Sequence, residues 1–240
     1  MRVVSLVPSA TETLLALGVT PIACTRFCEQ PDLPTVGGTK DPEVAQISLL
    51  KPDFVVVNDE ENRLEDVDRL RKLGVPIHEM SPRSVAEVGP SVAALAETVG
   101  AEVPEPFGRE TWGKWLEAHR RQRKGEPRRT FVLVWRRPWM TLAGDTYGSS
   151  LLHLLGCFNV FTGQGVRYPM VELAEAAGRK PDLVLLPTEP YPFKERHVAE
   201  VADGVPDAKV TIVDGQDLFW WGIRTPAAVE RLATAIPLGR

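Results

Sequence analysis

The residues best equipped for chemistry cluster at one kind of place in this sequence, directly after a short apolar run. In the N-terminal half these are Pro8-Ser9, then Thr25-Arg26-Phe27-Cys28-Glu29, then Asn58-Asp59-Glu60-Glu61-Asn62. In the C-terminal half they are Trp135-Arg136-Arg137-Pro138-Trp139, then Thr188-Glu189-Pro190-Tyr191, then Asp214 onward through Asp217 to Trp220-Trp221-Gly222-Ile223-Arg224. Four of the six tryptophans, Trp135, Trp139, Trp220 and Trp221, lie in the second group. Flat aromatics at loop positions suit a large planar or apolar ligand, and neighbouring carboxylates suit a polar rim. The plainer alternative for any one indole is packing at the edge of a lobe.

Metal ligation has weaker support. The four histidines, His78, His119, His153 and His197, form no pair at i+3 or i+4. Cys24 and Cys28 flank Arg26, whose charge opposes a divalent ion. Asp59, Glu60, Glu61, Glu189 and Asp217 could hold a hard cation or line a polar rim. Helix-start carboxylates and solvated loops explain them as well, so the metal assignment stays open. Nucleotide motifs fail on spacing. Gly37-Gly38-Thr39-Lys40 lacks the spaced glycine of a Walker loop, and Gly163-Gln164-Gly165 lacks the third glycine of a dinucleotide fingerprint. Ser149 and Ser150 precede His153 without a nucleophile elbow, which favours capping and packing. Nothing compels an enzyme, although Asp59, Glu60, Glu189 or Asp217 could do acid–base work if a ligand brought them together.

Composition narrows the partners. A hydrophobic share of 43% suffices for a soluble core, and a formal net charge of −4 argues against general nucleic-acid binding. The basic cluster from His119 to Arg129 reads as a solvated helix end whose cations complement the dipole. No apolar run reaches membrane-span length, so direct membrane insertion is not expected. Three cysteines supply no disulfide framework; Cys24 and Cys28 could pair locally, but reduced thiols are the simpler reading. Met1-Arg2 leads straight into an apolar run rather than a secretory signal. The expected location is therefore cytoplasmic, or periplasmic if a signal lies upstream.

The elements that must position these loops follow from periodicity. Lys51-Pro52-Asp53-Phe54-Val55-Val56-Val57 is echoed by Lys180-Pro181-Asp182-Leu183-Val184-Leu185-Leu186. Each run is short and unbroken, as for a strand buried on both faces of a parallel sheet. Helical stretches at residues 42–50 and 170–178 precede the copies, and polar loops follow them. Further strands are expected at residues 3–7, near Ile22, and at 76–79, 130–135 and 209–213. Helices are expected from a Ser9–Glu12 capping box to Gly18, then over 62–73, 84–99, 109–124, 147–155 and 193–201, and from Pro226. Such alternation implies two parallel-sheet α/β lobes. The boundaries are residues 1–103 for the first lobe, 104–126 for a long crossover helix and 127–240 for the second. Ligands bind outside the carboxyl ends of such strands, which puts a ligand cleft between the lobes.

The opening Arg2-Val3-Val4-Ser5-Leu6-Val7-Pro8-Ser9-Ala10-Thr11-Glu12, the two Lys-Pro-Asp strands and the crossover helix together resemble the class III periplasmic binding proteins, the helical-backbone receptors for corrinoids, haem and iron siderophores. The resemblance implies cobalamin or an iron chelate as the class of ligand. It places ligand contacts at Phe27, Thr39, Asn58, Trp135, Tyr168 and residues 217–221, beside the loop candidates Pro8, Cys28, Glu60, Trp139, Glu189 and Tyr191. Cobalamin binders of this family present an aromatic after the third strand, where this chain has Asn58 and Glu60, so a more polar pocket is expected. Transport members dock on their ABC permease through one glutamate per lobe, eight positions before the strand Asp. Those positions here are Ala45 and Ala174. Permease docking is doubtful on that ground, and a small-molecule carrier or sensor is the expected role, with a transport receptor as the alternative.

Overall fold

The computed structural model describes residues 1–122 and 126–236. Its contacts divide the chain into two compact units. The first comprises Met1–Pro82, Glu87–Trp112 and Trp221–Arg224; the second comprises Arg83–Ala86, Gly113–Trp220 and the chain from Thr225.

The first unit alternates strands and helices: β1 (Val3–Ser5), α1 (Pro8–Ala16), β2 (Ala23–Cys24), α2 (Val44–Leu49), β3 (Phe54–Val57), α3 (Leu64–Lys72) and β4 (Ile77–Glu79). The strand order is β2-β1-β3-β4, every pairing parallel. Helices α4 (Val85–Val99) and α5 (Arg109–Gln122) follow, and the division between units falls within both. The expected end of α5 at Lys124 lies outside the described residues.

The second unit holds β5 (Arg128–Trp135), β6 (Met140–Thr141), α6 (Tyr147–Leu154), β7 (Cys157–Asn159), α7 (Leu173–Gly178), β8 (Leu183–Pro187), α8 (Val198–Gly204), β9 (Lys209–Val213), α9 (Gly215–Phe219) and α10 (Thr225–Ala235). Its order is β6-β5-β8-β9, with β7 also on β5. Strands β7 and β8 run parallel to β5, and β9 parallel to β8. Strand β6 departs from the expected parallel pattern: it turns back after Pro138 and pairs antiparallel with Leu133 and Trp135. A tight turn permits only an antiparallel return. The expected helix over 193–201 begins instead as a 3-10 turn at Glu195–His197 before α8.

All four residues of β3 and all five of β8 are buried. Unbroken apolar runs are the consequence of helices covering both faces. Val4, Leu6, Ile47, Val55, Val57 and Leu70 form one core, and Phe131, Leu133, Phe161, Val184, Leu186 and Val201 the other. Each such side chain contributes about 1.5–3 kcal/mol through burial.

The repeated Lys-Pro-Asp motif forms the same junction in both units. Lys51 and Lys180 take positive φ, 47° and 51°, which turns the chain out of the preceding helix. Asp53 then accepts the Arg2 amide at 2.6 Å and returns its own amide to the Arg2 carbonyl at 2.7 Å. Asp182 does the same with Arg129, at 3.0 and 2.7 Å. The guanidinium of Arg2 meets the Leu50 carbonyl at 2.7 Å, and that of Arg129 meets the carbonyls of Lys180 and Arg179. Carbonyls left open at the helix ends thus gain cationic partners.

The expected capping box does not form. Pro8 occupies the start of α1, Val7 is its cap without a side-chain bond, and the buried Ser9 hydroxyl has no hydrogen-bond partner. Proline at the first helical position moves the start one residue ahead of Ser9, out of capping register. Glu12 instead pairs with Arg224.

Asp53→Ala and Asp182→Ala each remove one charged acceptor from equivalent junctions. Each is expected to cost about 1–2 kcal/mol, read as a lower urea midpoint followed by circular dichroism. A silent substitution at either site would show that the junction does not hold its strand pair.

Candidate ligand-binding loops

In the first unit, the loops at the carboxyl ends of the strands are tied by two asparagines. The Asn62 carbonyl oxygen accepts the Asn58 amide at 2.8 Å, and its NH2 donates to the carbonyls of Leu6 at 3.2 Å and Thr39 at 3.0 Å. The Asn58 side chain donates to the Met80 carbonyl at 2.9 Å and accepts the amides of Glu60 and Glu61. Both asparagines are buried. Asn58, a sequence candidate for ligand contact, therefore has its side-chain amide engaged by backbone groups, and the Thr39 carbonyl is taken by the Asn62 side chain.

Lys40 reaches the Glu60 carbonyl. Burial lowers the pKa of its ammonium, while Glu61, Glu60 and Asp59 act in the opposite direction. The acidic loop thus has a cation inside it. Glu189 and Asp217, the remainder of the candidate carboxylate set, belong to the second unit. Among the described residues, no group of three or more His, Cys, Asp or Glu side chains converges as a metal site.

Phe27 is half exposed, with the Arg26 guanidinium 4.9 Å above its ring and Arg26 paired to Asp41 at 3.0 Å. Pro8 is buried at the start of α1. Cys28 points inward: its sulfur receives the Thr11 hydroxyl at 3.2 Å and lies 3.2 Å from that of Thr25. Hydrogen bonding from Cys24 pulls the Cys28 thiol down to about 6 against the opposing effect of burial, with the two threonines adding to the fall. The same contact, with burial, pushes Cys24 far up.

Residues 221–224 complete the first unit. Arg224 grips Glu12 through two bonds of 2.7 Å, and the Ile223 amide donates to the Thr13 hydroxyl at 3.3 Å. Gly222 sits at φ 102°, where a Cβ would come within 2.4 Å of the Thr13 hydroxyl oxygen, so only glycine fits. Trp221 is buried here.

The second unit presents aromatics. Trp135, at the end of β5, is 42% exposed and meets Tyr191 edge-on at 5.6 Å. Tyr191 rests on Phe193 at 4.7 Å, which stacks with Trp139 at 6.4 Å. His197 packs against both Tyr191 and Phe193. Arg136 lies 5.7 Å over Trp139 and binds both carboxylate oxygens of Glu200 at 2.9 and 3.0 Å. Burial, then Arg196 and Arg136, lowers the pKa of His197. Tyr168 is exposed in a loop held onto β6 by the Thr141 and Ala143 amides, which donate to the carbonyls of Pro169 and Arg167. Trp135 and Tyr168 thus flank the same short strand.

Asp217 is buried and bound by Arg231 at 2.6 and 2.7 Å, so both its oxygens are engaged. Glu189 is half-buried where the chain passes Gly215, whose missing Cβ leaves room for the Glu189 backbone. Trp220 is partly exposed. Sequence reasoning named the loops that hold Asn62, Lys40, Arg136 and Arg224 but missed the bonds they make, to Asn58, to the Glu60 carbonyl, to Glu200 and to Glu12. Only the i,i+4 spacing of Asn58 and Asn62 offered a local signal; the two ion pairs join residues far apart in the chain.

The chain belongs to the periplasmic binding protein family, whose sequence model matches residues 3–203. It is 27% identical over 192 residues to the vitamin B12-binding protein of Yersinia pestis (strain Pestoides F), covering 77% of this chain and 69% of that one. The fold matches the periplasmic vitamin B12-binding protein BtuF of Vibrio cholerae with a TM-score of 0.80 at 24% identity, covering 98% of this chain and 95% of the other. It matches the periplasmic haem-binding protein HutB of Vibrio cholerae at 0.79 and 21%, covering 98% of each. No helix among the described residues is long and apolar enough to cross a membrane.

Asn62→Ala leaves the Asn58 amide and the carbonyls of Leu6 and Thr39 without their partner. A loss of about 2–4 kcal/mol is expected in urea unfolding with an unchanged slope. A loss below about 1 kcal/mol would mean water replaces the side chain.

Proposed function

We propose that this protein binds a corrinoid, tetrapyrrole or related metal chelate through the loops at the carboxyl ends of its strands. The observation that carries the reading is Trp135, a solvent-open indole braced by Tyr191, Phe193, Trp139 and His197. A rigid aromatic face with little conformational freedom left to lose suits a large flat ligand. In the second unit Tyr168 adds exposed and Trp220 partly exposed aromatic surface, and in the first unit Phe27 is exposed. Kinship with vitamin B12-binding relatives supports the same ligand class.

A transport receptor is the second reading. The vitamin B12-binding and haem-binding proteins of Vibrio cholerae with the same fold are periplasmic, which favours an exported protein over a cytoplasmic one. Against it, Ala45 and Ala174 are exposed on α2 and α7 where the resembling receptors carry docking glutamates. Glu175 is close in sequence but bonds to Arg179 at 3.0 Å. A permease contact would therefore lack that charge pair.

Titration with cyanocobalamin, haemin and a ferric siderophore should give a visible-absorbance change with one of them. At a hundredfold excess over Kd, that ligand should add about 2.7 kcal/mol of stability. Trp135→Ala should weaken its binding about tenfold or more without altering the free protein's fold. No response to any of the three compounds would overturn the reading.

A further inference from the structure

Cys24 and Cys28 stand apart from the aromatic surfaces, and their arrangement has a chemistry of its own. Cys24 is held in the sheet: its amide donates to the Pro34 carbonyl and its carbonyl accepts the Val36 amide, at 3.0 and 2.9 Å. Cys28 closes a tight turn, its amide donating to the Thr25 carbonyl at 3.1 Å. That turn carries Cys28 back toward Cys24, and the interaction between the two thiols drives their pKa values apart. Both are free and buried, yet Arg26, Phe27 and Glu29 of the turn are exposed. Two hydroxyls, from Thr11 and Thr25, address the Cys28 sulfur.

We propose that Cys24 and Cys28 form an oxidisable dithiol that closes to a disulfide under a peroxide-class oxidant. Hydrogen bonds from Thr11 and Thr25 stabilise charge on the Cys28 sulfur, which makes it the attacking thiolate. It attacks one peroxide oxygen; the O–O bond breaks, hydroxide leaves and takes up a proton as water, and Cys28 becomes a sulfenic acid. Cys24 attacks the sulfenic sulfur as its proton passes to the departing hydroxyl; the S–O bond breaks and a second water leaves. In total, two thiols are oxidised and one peroxide is reduced to two waters. Cys24 lies beside the sulfenate, so the second step outruns further oxidation.

Arg26 makes the test direct, because trypsin cuts after it and separates the two cysteines onto different peptides. Reduced full-length protein treated with hydrogen peroxide should become lighter by two hydrogen atoms. Its non-reduced digest should contain one peptide pair joined through Cys24 and Cys28, which reductant releases. Cys24→Ser should abolish the pair and leave oxidised Cys28. Thr11→Val, checked for native circular dichroism, should raise the Cys28 pKa by about one unit and so slow its oxidation about tenfold at pH 5, where thiolate is scarce, but only about twofold at pH 7. Sulfinate at Cys28 without cross-link, a cross-link to Cys157, or no oxidation at all would each overturn the proposal.

Discussion

In both units the central strand pair is set by one junction, in which a lysine at positive φ turns the chain out of a helix and an aspartate two residues later locks it to an arginine on the neighbouring strand. A non-glycine residue in that backbone region costs about 1–2 kcal/mol, so the conformation persists only because its surroundings demand it. The demand comes from both sides. The arginine amide and carbonyl close a pair with the aspartate, while the guanidinium takes the orphan carbonyls of the helix end. Since a parallel register slip of one residue would invert every side chain, fixing the strands at their amino ends also fixes where they stop. The loops that could meet a ligand begin there.

Those loops use opposite strategies. In the first unit, Asn58 and Asn62 bind backbone groups of four neighbouring segments, so the polar atoms are consumed in holding shape. In the second unit, shape is held by ring packing around Tyr191 and Phe193, which leaves the Trp135 face open. A ligand approaching either set meets rigid surface, and rigidity lowers the entropy lost on binding. Of the candidate residues, Phe27 in the first unit and Trp135 and Tyr168 in the second keep exposed rings.

The strands and most helices were legible because burial on two faces forces an unbroken apolar run, and the Lys-Pro-Asp repeat announced the duplication of the fold. Local rules failed where distant partners decided the outcome. Ser9-Ala10-Thr11-Glu12 has capping-box spacing, but Pro8 had already begun the helix, and Arg224, 212 residues away, holds Glu12. Asn58 looked like an open polar contact because nothing in a linear reading reveals that Met80 lies against it, and its i,i+4 spacing to Asn62 was the one local hint. Strand β6 is two residues long, too short for any periodicity to show. The aromatic loops were found by type and place, but the brace beneath Trp135 depends on Arg136 meeting Glu200 across 64 residues.

The carboxylates illustrate why residue type alone overstates chemistry. A general base must reach a proton in the substrate and be free to accept it. Asp217 cannot do so as it stands, because Arg231 occupies both oxygens and protonation would break a bidentate pair. Glu12 is bound the same way by Arg224, and Glu200 by Arg136. The acidic loop at Asp59, Glu60 and Glu61 surrounds the ammonium of Lys40. Three carboxylates are thus already held by arginines. Acid–base chemistry at Asp217, Glu12 or Glu200 would need its arginine pair to open, whereas binding through exposed rings needs no free carboxylate.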